Sequence, residues 1–186
     1  MENKNYELLA PVGSIQMFDA ALAAKADAVY LAGTKFGARA YANNFDTEQL
    51  NTLVKDTEFK DLYDYLTELA QINVDGLIIK DLGVYQFIKE YFIGFELHSS
   101  TQMALNNLNG AKFIEKLGFE RVVVGREVSL DEISLIKKET SLDIEAFIHG
   151  SLCVSVSGQC LVSSLIGQRS GNRGRCAQPC RKTFNL

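Results

Sequence analysis

Short apolar runs alternate with longer amphipathic stretches along this chain, and this alternation limits the possible folds more than any other feature. The runs are rich in Val, Ile, Leu and Tyr, which is typical of β-strands, whereas the stretches between them have helical periodicity. The six predicted strands are 6–11, 27–33, 75–81, 95–100, 120–127 and 143–150. The five predicted helices are 14–25, 57–73, 83–91, 101–117 and 129–140. Because strand–helix–strand units form parallel sheets, the chain is predicted to be an α/β protein.

Polar residues at the ends of the predicted strands favour a closed barrel over an open sheet. A (β/α)8 barrel builds its active site from the C-terminal ends of many strands, whereas an open sheet has its site at one switch point. Four strands of this chain finish at polar residues, namely Lys80, His98, Arg126 with Glu127, and His149. Six strands cannot close a ring of eight, and such barrels usually need about 250 residues. We therefore predict an incomplete or truncated (β/α)8, TIM-like barrel.

Capping residues mark the starts of three predicted helices. Ser14, Thr101 and Ser129 each precede a helical stretch, and Glu132 completes a capping box with Ser129. The side chain of a capping residue accepts a hydrogen bond from a backbone N–H of the first turn, which otherwise has no partner. We therefore expect these three helices to begin at these positions.

The composition is that of a folded protein of about one domain. The chain has 186 residues, of which 47% are hydrophobic and 23% are charged. No linker divides it before Gly150, so residues 1–150 are predicted to form the barrel portion and residues 151–186 to continue the same domain. No apolar run is long enough to span a bilayer, and the first residues lack the apolar core of a secretory signal. We therefore expect a cytoplasmic protein with no membrane partner.

All four cysteines lie in the last part of the chain, among small residues. They are Cys153, Cys160, Cys176 and Cys180, with the spacing C-x6-C-x15-C-x3-C. This spacing matches neither the C-x2-C pairs of zinc ribbons nor the tight runs of bacterial ferredoxins. Four thiolates suit an iron–sulfur cluster, a cysteine paired with His149 suits nucleophilic catalysis, and buried inert thiols are a third interpretation. The spacing alone leaves all three open.

The end of the chain is basic, although the protein as a whole is acidic. The net charge is −4, yet five basic residues and no acidic residue follow Gly167. Such a segment is suited to contact phosphate or an anionic substrate, and it is equally suited to be a solvated tail. The acidic character of the rest of the chain argues against a non-catalytic RNA-binding module.

The stretch "EAFIHGSLCVSVSGQCLVS" resembles the signature of the collagenase-like peptidase U32 family. Every fixed position of that signature is filled, by Glu145, Phe147, Gly150, Ser151, Leu152, Cys153, Gly158, Cys160, Val162 and Ser163. The similarity extends over almost the whole chain, because "ELLAPVGS", "DAVYLAG", "FGARAYANNF", "KDLGV", "LHSSTQM", "GREVSLDEI" and "SGNRGRCAQPCR" look like family segments in family order. The chain is therefore identified as a member of this family.

The resemblance implies chemistry that the family name does not describe. Some members look like oxygen-independent hydroxylases that hold a four-iron, four-sulfur cluster and modify tRNA uridine, ribosomal RNA cytidine or an aromatic ring in ubiquinone synthesis. Prephenate is the implied hydroxyl source for some of them. The resemblance implies Cys153, Cys160 and Cys176 as ligands, with Cys180 or a cysteine beyond this chain as the fourth. A tRNA hydroxylase is therefore the leading hypothesis, with RNA as partner and with association with itself or a family paralogue. The alternative is a peptidase that acts on peptides through a cysteine nucleophile or a metal.

Residue type and position give the remaining candidate site residues. The catalytic candidates are His98, His149, Arg39, Arg126 and Glu127, and the substrate-binding candidates are Arg173, Arg175 and Lys80. Of these, Arg39, Arg126 and Arg173 are expected to clamp an anionic substrate, because guanidinium groups bind carboxylates and phosphates through paired hydrogen bonds. Both histidines are expected to lie on the same C-terminal rim as the cysteines.

One part of the family pattern is absent. After "FDTEQL" the pattern continues the helix and adds a further strand before "NTLV", whereas here Leu50 is followed directly by Asn51. Judging by the usual lengths of βαβ elements, a helix–strand unit of about twenty residues is missing. We expect that the printed chain omits residues present in the molecule, so that Leu50 and Asn51 are not joined by a peptide bond.

Overall fold

A computed structural model describes residues 6–32, 54–150 and 152–183, and within these ranges all strands are parallel. The first sheet pairs β1 (Leu9–Val12) with β2 (Ala28–Leu31). The second has the order β3 (Gly76–Ile79), β4 (Glu96–Ser99), β5 (Arg121–Val123) and β6 (Asp143–Glu145). Five of these strands lie inside the predicted runs, and β1 extends one residue beyond its run, to Val12. The predicted α/β fold with parallel strands is therefore confirmed.

In the part of the chain that the structure describes, five α-helices follow strands and a sixth lies in the Cys-rich segment. They are α1 (Ile15–Ala23), α2 (Phe59–Gln71), α3 (Leu82–Tyr91), α4 (Leu108–Leu117), α5 (Leu130–Glu139) and α6 (Val162–Gly167). Two of the predicted caps are present. Ser14 Oγ accepts a hydrogen bond from Met17 N, and Ser129 and Glu132 form the predicted capping box. The helix α6 was not predicted, because six residues are too few to show a periodic pattern.

The helix predicted from Thr101 begins seven residues later. Residues Thr101–Met103 form a single 3-10 turn capped by Ser100, and Ala104 then adopts a left-handed backbone with a φ of 55°. The α-helix starts only at Leu108, where Asn107 Oδ1 accepts a hydrogen bond from Gly110 N at 2.9 Å. The apolar residues of this loop, Met103 and Leu105, still pack against the core. The spacing of these buried apolar residues in the sequence resembled that of a helix, although they lie in a loop.

The two faces of the second sheet differ in character. Alternate residues of a strand point to opposite faces, and Leu77, Leu97 and Val122 belong to the face that packs on the helices. The helices contribute fully buried residues to this core, namely Leu62, Leu66, Leu69, Ile88, Ile114 and Ile136. The other face carries polar side chains, including His98 and Arg121. The helix-covered face of the sheet therefore forms most of the hydrophobic core.

Several predictions concern residues outside the described ranges. Arg39, Leu50 and Asn51 lie there, so the predicted arginine clamp and the predicted gap in the chain stay predictions. The described strands form two sheets, so the predicted partial barrel stays a prediction. Among the described residues, no helix combines the length and apolar character needed to cross a membrane.

Candidate functional site

The Cys-rich segment, residues 152–183, packs against the C-terminal ends of β3, β4 and β5. Lys80, which directly follows β3, donates a hydrogen bond from Nζ to Asn172 Oδ1 at 2.7 Å. Arg126, in the turn after β5, donates from its guanidinium to the carbonyl of Ser155 at 3.0 Å. The carboxyl ends of parallel strands share one edge of a sheet, so these contacts hold the segment along a single edge.

The loop between Cys153 and Cys160 is held by a carboxylate from the sheet. Glu127 Oε1 accepts two hydrogen bonds from Ser157, one from the backbone N–H at 2.8 Å and one from the hydroxyl at 3.2 Å. Burial raises the pKa of Glu127, but hydrogen bonds from its own backbone and from Ser157 outweigh it, and the pKa is lowered from its ordinary value. Glu127 is therefore an ionised anchor for a buried serine.

A glycine allows the same loop to approach β4 closely. Gly158 has a φ of +75°, and a Cβ atom placed on it would lie 2.2 Å from the carbonyl oxygen of Gln102. Only glycine adopts this backbone conformation without strain and leaves room for the facing backbone. The signature glycine is therefore required by the contact between the loop and the residues that follow β4.

A second anchor fixes the part of the segment that precedes Cys176. The guanidinium of Arg173 makes two hydrogen bonds with the carboxylate of Glu58, at 2.6 and 3.2 Å. Such paired bonds are among the stronger polar interactions in proteins. Arg173 and Lys80 were predicted to bind substrate, and the structure shows that both have partners within the protein. Glu58 and Asn172, which complete these contacts, had no signal in the sequence.

Acid is expected to weaken the contact between Glu58 and Arg173. Hydrogen bonds from the Arg173 side chain and the Lys55 backbone lower the pKa of Glu58 from its ordinary 4.5. Because the folded-state pKa lies below the unfolded one, this stabilisation is fully present above pH 4.5 and is lost as the pH falls through the folded-state pKa. The difference in free energy of unfolding between the natural protein and Glu58→Gln, measured with urea, should be largest at neutral pH and should shrink below pH 4.5. A difference independent of pH would contradict this role.

The four cysteines form no disulfide bonds. Hydrogen bonds connect the chain stretches around them in two pairs. Cys153, Cys176 and Cys180 are exposed, and Cys160 is half-buried. Arg181 donates from its guanidinium to the carbonyl of Leu152, which joins the neighbours of Cys180 and Cys153. Ala177 N donates to Ser163 Oγ at 2.9 Å, which joins the stretches that follow Cys176 and Cys160. These contacts therefore join the stretches that carry the thiols in two pairs, Cys153 with Cys180 and Cys160 with Cys176.

The donor chemistry of this segment fits an iron–sulfur cluster. Clusters are held by cysteine thiolates, usually four, and the segment supplies four thiols that no disulfide consumes. Within the described ranges, no three His, Cys, Asp or Glu side chains already form a group that could hold a metal ion. Cluster binding therefore requires the exposed thiols to converge from their present positions.

A cavity of about 330 Å³ that is open to solvent adjoins Cys153. It is lined by Arg126, Glu127, Leu152, Cys153, Val154, Ser155 and Val156. The lining combines apolar side chains with one guanidinium, one thiol and the Glu127 carboxylate, whose Oε1 is engaged by Ser157. The guanidinium and the apolar side chains suit a ligand with a carboxylate on an apolar body. Among the described residues, Arg126 uses one of its donors on Ser155, so the guanidinium has further donors for such a ligand.

The two histidines lie at opposite ends of their strands: His149 follows the C-terminal end of β6, whereas the His98 ring lies toward the N-terminal end of β4. The ring of His98 lies over the first residues of β3 and β4: it is within about 3 Å of the Cβ position of Gly76 and 3.5 Å from Glu96 Oε2. Burial, and next the charge of Arg121, lower the pKa of His98. The expectation that His98 lies at the C-terminal rim is therefore wrong, because its side chain leans toward the opposite end of the strand. His149 is exposed in the loop after β6.

An ionic cluster near His98 was not predicted. The Arg121 guanidinium lies 3.8 Å from Glu7, 3.9 Å from Asp143 and 4.0 Å from Glu145. Burial raises the pKa of Glu145, and Oε2 of this carboxylate is buried without a hydrogen-bond partner. The alternation of the strands could have indicated one shared face for these residues, because Arg121 is the register partner of both His98 and Asp143.

Comparisons with known proteins place the chain in one protein family. The model of peptidase family U32 matches residues 13–55 and 49–186, two stretches that overlap at residues 49–55. A tRNA hydroxylation protein P1 from Bacillus subtilis is 34% identical over 98% of this chain and 48% of its own length. A 23S rRNA 5-hydroxycytidine synthase from Escherichia coli is 38% identical over 97% of this chain and 30% of its own length. The chain thus spans about half, or less, of the length of these curated relatives.

A solved structure of a U32 peptidase has a similar fold. It superposes with a TM-score of 0.62 over 78% of this chain and 71% of that chain, at 15% sequence identity. At this identity the likeness concerns the arrangement of strands and helices alone.

Proposed function

The chain belongs to the peptidase U32 family, and on this basis we propose that it forms the catalytic portion of an RNA hydroxylase of the tRNA-modifying kind. The observation that carries the proposal is the Cys-rich segment anchored over the strand ends, with a cavity beside Cys153. Relatives named for hydroxylation of tRNA and ribosomal RNA align over nearly the whole chain, which supports this reaction class over proteolysis.

The proposal includes an iron–sulfur cluster on the cysteines. Cys153, Cys160 and Cys176 would hold it, with Cys180 as the fourth ligand, because all four are unpaired on one anchored segment. Such a group supplies electrons or Lewis acidity when it is bound. The cavity beside Cys153 would take prephenate as the hydroxyl source, and the Arg126 guanidinium would pair with a carboxylate of that molecule.

The fold that we propose for the complete domain is a partial (β/α) barrel. Two parallel sheets with helices on one face, together with the similarity to a U32 peptidase structure, support it. In a barrel the C-terminal ends of the strands form the active face. The anchored Cys-rich segment would then lie across that face. Association with a family paralogue stays a prediction.

The basic residues proposed to meet RNA are those that point outward. Arg175 and Lys182 are exposed in the Cys-rich segment, whereas Arg173 is engaged with Glu58. Phosphate contacts contribute affinity without base specificity and release counterions, so they make binding dependent on salt. The peptidase alternative lacks comparable support, because among the described residues no cysteine thiol is hydrogen-bonded to a histidine.

Anaerobic purification of the full-length protein is the direct test of this function. We expect bound iron and sulfide with visible absorption, and we expect Cys153→Ala to lose both. In a strain that lacks the gene, RNA should lose one hydroxylated nucleoside, detected by mass spectrometry. The natural gene should restore this nucleoside, and the Cys153→Ala gene should not.

The matched control is Arg175→Ala, which should keep the iron while it weakens RNA binding. The slope of binding affinity against salt should fall by about one counterion. A purified protein without iron, or an RNA population unchanged by deletion of the gene, would contradict the proposed function.

A further inference from the structure

We propose that Glu127, predicted from the sequence as a catalytic residue, is instead a positioning residue that fixes the loop between Cys153 and Cys160. This inference rests on the proposed function only where it concerns the cluster. Its structural part rests on the hydrogen bonds between Glu127 and Ser157, 30 positions apart in the chain. The loop spans the two cysteines of the family signature, so its shape decides where their thiols stand.

The carboxylate of Glu127 occupies a confined position. One of its oxygens, Oε1, receives both hydrogen bonds from Ser157, whose side chain is buried. The other, Oε2, lies close to Gly125, where an added Cβ atom would be 2.6 Å away. Because Gly125 has no side chain, the carboxylate fits between the end of β5 and the loop. An oxygen that already accepts two hydrogen bonds inside the protein is poorly placed to take a proton from a substrate.

Two neighbouring contacts also hold this loop against the ends of the strands. Arg126 binds the carbonyl of Ser155, and Gly158 lies against the backbone of Gln102. Three attachments thus fall on residues 155, 157 and 158, in the middle of the loop. The cysteines stand at its two ends. Loss of the central attachment would therefore leave the middle of the loop less restrained and the relative position of the two thiols less well defined.

The chain contains a close control for this arrangement. Glu115 accepts hydrogen bonds from the backbone N–H and the hydroxyl of Ser141, which is the same pattern across a separation of 26 positions. That contact ties α4 to the turn before β6, away from the cysteines. If Glu127 had only a general stabilising role, Glu127→Ala and Glu115→Ala would have the same consequences.

Hydrogen exchange on the metal-free full-length protein tests the structural part. Glu127→Ala should speed exchange of the amides in residues 153–160, because Ser157 N–H loses its acceptor. Glu127→Gln should keep most of the protection, since its amide oxygen still accepts from Ser157. Glu115→Ala should change exchange near Ser141 and leave residues 153–160 as in the natural protein. Unchanged exchange in residues 153–160 of Glu127→Ala would overturn the inference.

Iron affinity after anaerobic reconstitution tests the part that concerns the cluster. Residues that hold a metal-binding loop typically change metal affinity by about 10–100-fold when they are replaced. We expect a loss of this size for Glu127→Ala and none for Glu115→Ala at comparable thermal stability. If Glu127→Ala does not fold, Arg126→Met provides the same comparison at the neighbouring anchor. Equal iron affinity in all variants overturns the positioning role, whereas absence of iron from the natural protein contradicts the proposed function and leaves the exchange result intact.

Discussion

Replacing Gly158 by alanine is expected to detach the loop between Cys153 and Cys160 from the sheet. The new Cβ atom would lie 2.2 Å from the carbonyl oxygen of Gln102, and the φ of +75° is unfavourable for any residue with a side chain. The left-handed backbone costs about 1–2 kcal/mol, and crowding of a packed site costs about 1–3 kcal/mol more. Backbone atoms cannot move aside as a flexible side chain would. The loop must therefore shift, and the two signature thiols must shift with it.

Two measurements check the Gly158→Ala prediction. The free energy of unfolding should fall by about 2–5 kcal/mol if the loop stays docked, or by less if the loop detaches. In the second case amides of residues 153–160 should exchange rapidly and iron should be lost. Gly167→Ala is the control, because a Cβ atom there meets nothing within 4 Å. A Gly158→Ala protein with natural stability and natural exchange in this loop would refute the close approach.

Replacing Ile136 by alanine is expected to cause a large loss of stability, although the site is remote from the cysteines. Its side chain, in α5, is 1% exposed and belongs to the main hydrophobic core. Removal of such a side chain loses the burial of several carbon atoms and leaves a cavity, at a cost of about 2–5 kcal/mol. Domains of this size are stable by only about 5–15 kcal/mol, so the change is a large fraction of the whole.

The preceding residue supplies the control for Ile136→Ala. Leu135 lies on the same helix but is 46% exposed, so Leu135→Ala should change the free energy of unfolding by much less, on the order of 0.5 kcal/mol. Urea unfolding at neutral pH would measure both variants, and the dependence on urea should keep its slope. Equal losses for the two variants would show that α5 does not pack on the sheet as described.

The sequence predicted most elements because their signals are local. Hydrophobic periodicity and capping residues depend on neighbours within a few positions, and Ser14 and Ser129 form the caps expected of them. The start of α4, which was predicted seven residues too early, shows the limit of these local signals. Met103 and Leu105 are packed against the core from a loop, and a sequence pattern cannot tell a buried loop residue from a buried helical one.

By itself the sequence determined the α/β class, the parallel strands, the family and the group of cysteines at its end. Only the tertiary structure decided what the polar residues at the strand ends do. Arg126, Glu127 and Arg173 looked like candidates for catalysis or substrate binding, and they hold the Cys-rich segment through Ser155, Ser157 and Glu58. Each of these contacts joins residues at least 29 positions apart. A hydrogen-bond partner at that distance depends on how the chain packs, and no local pattern in the sequence records it.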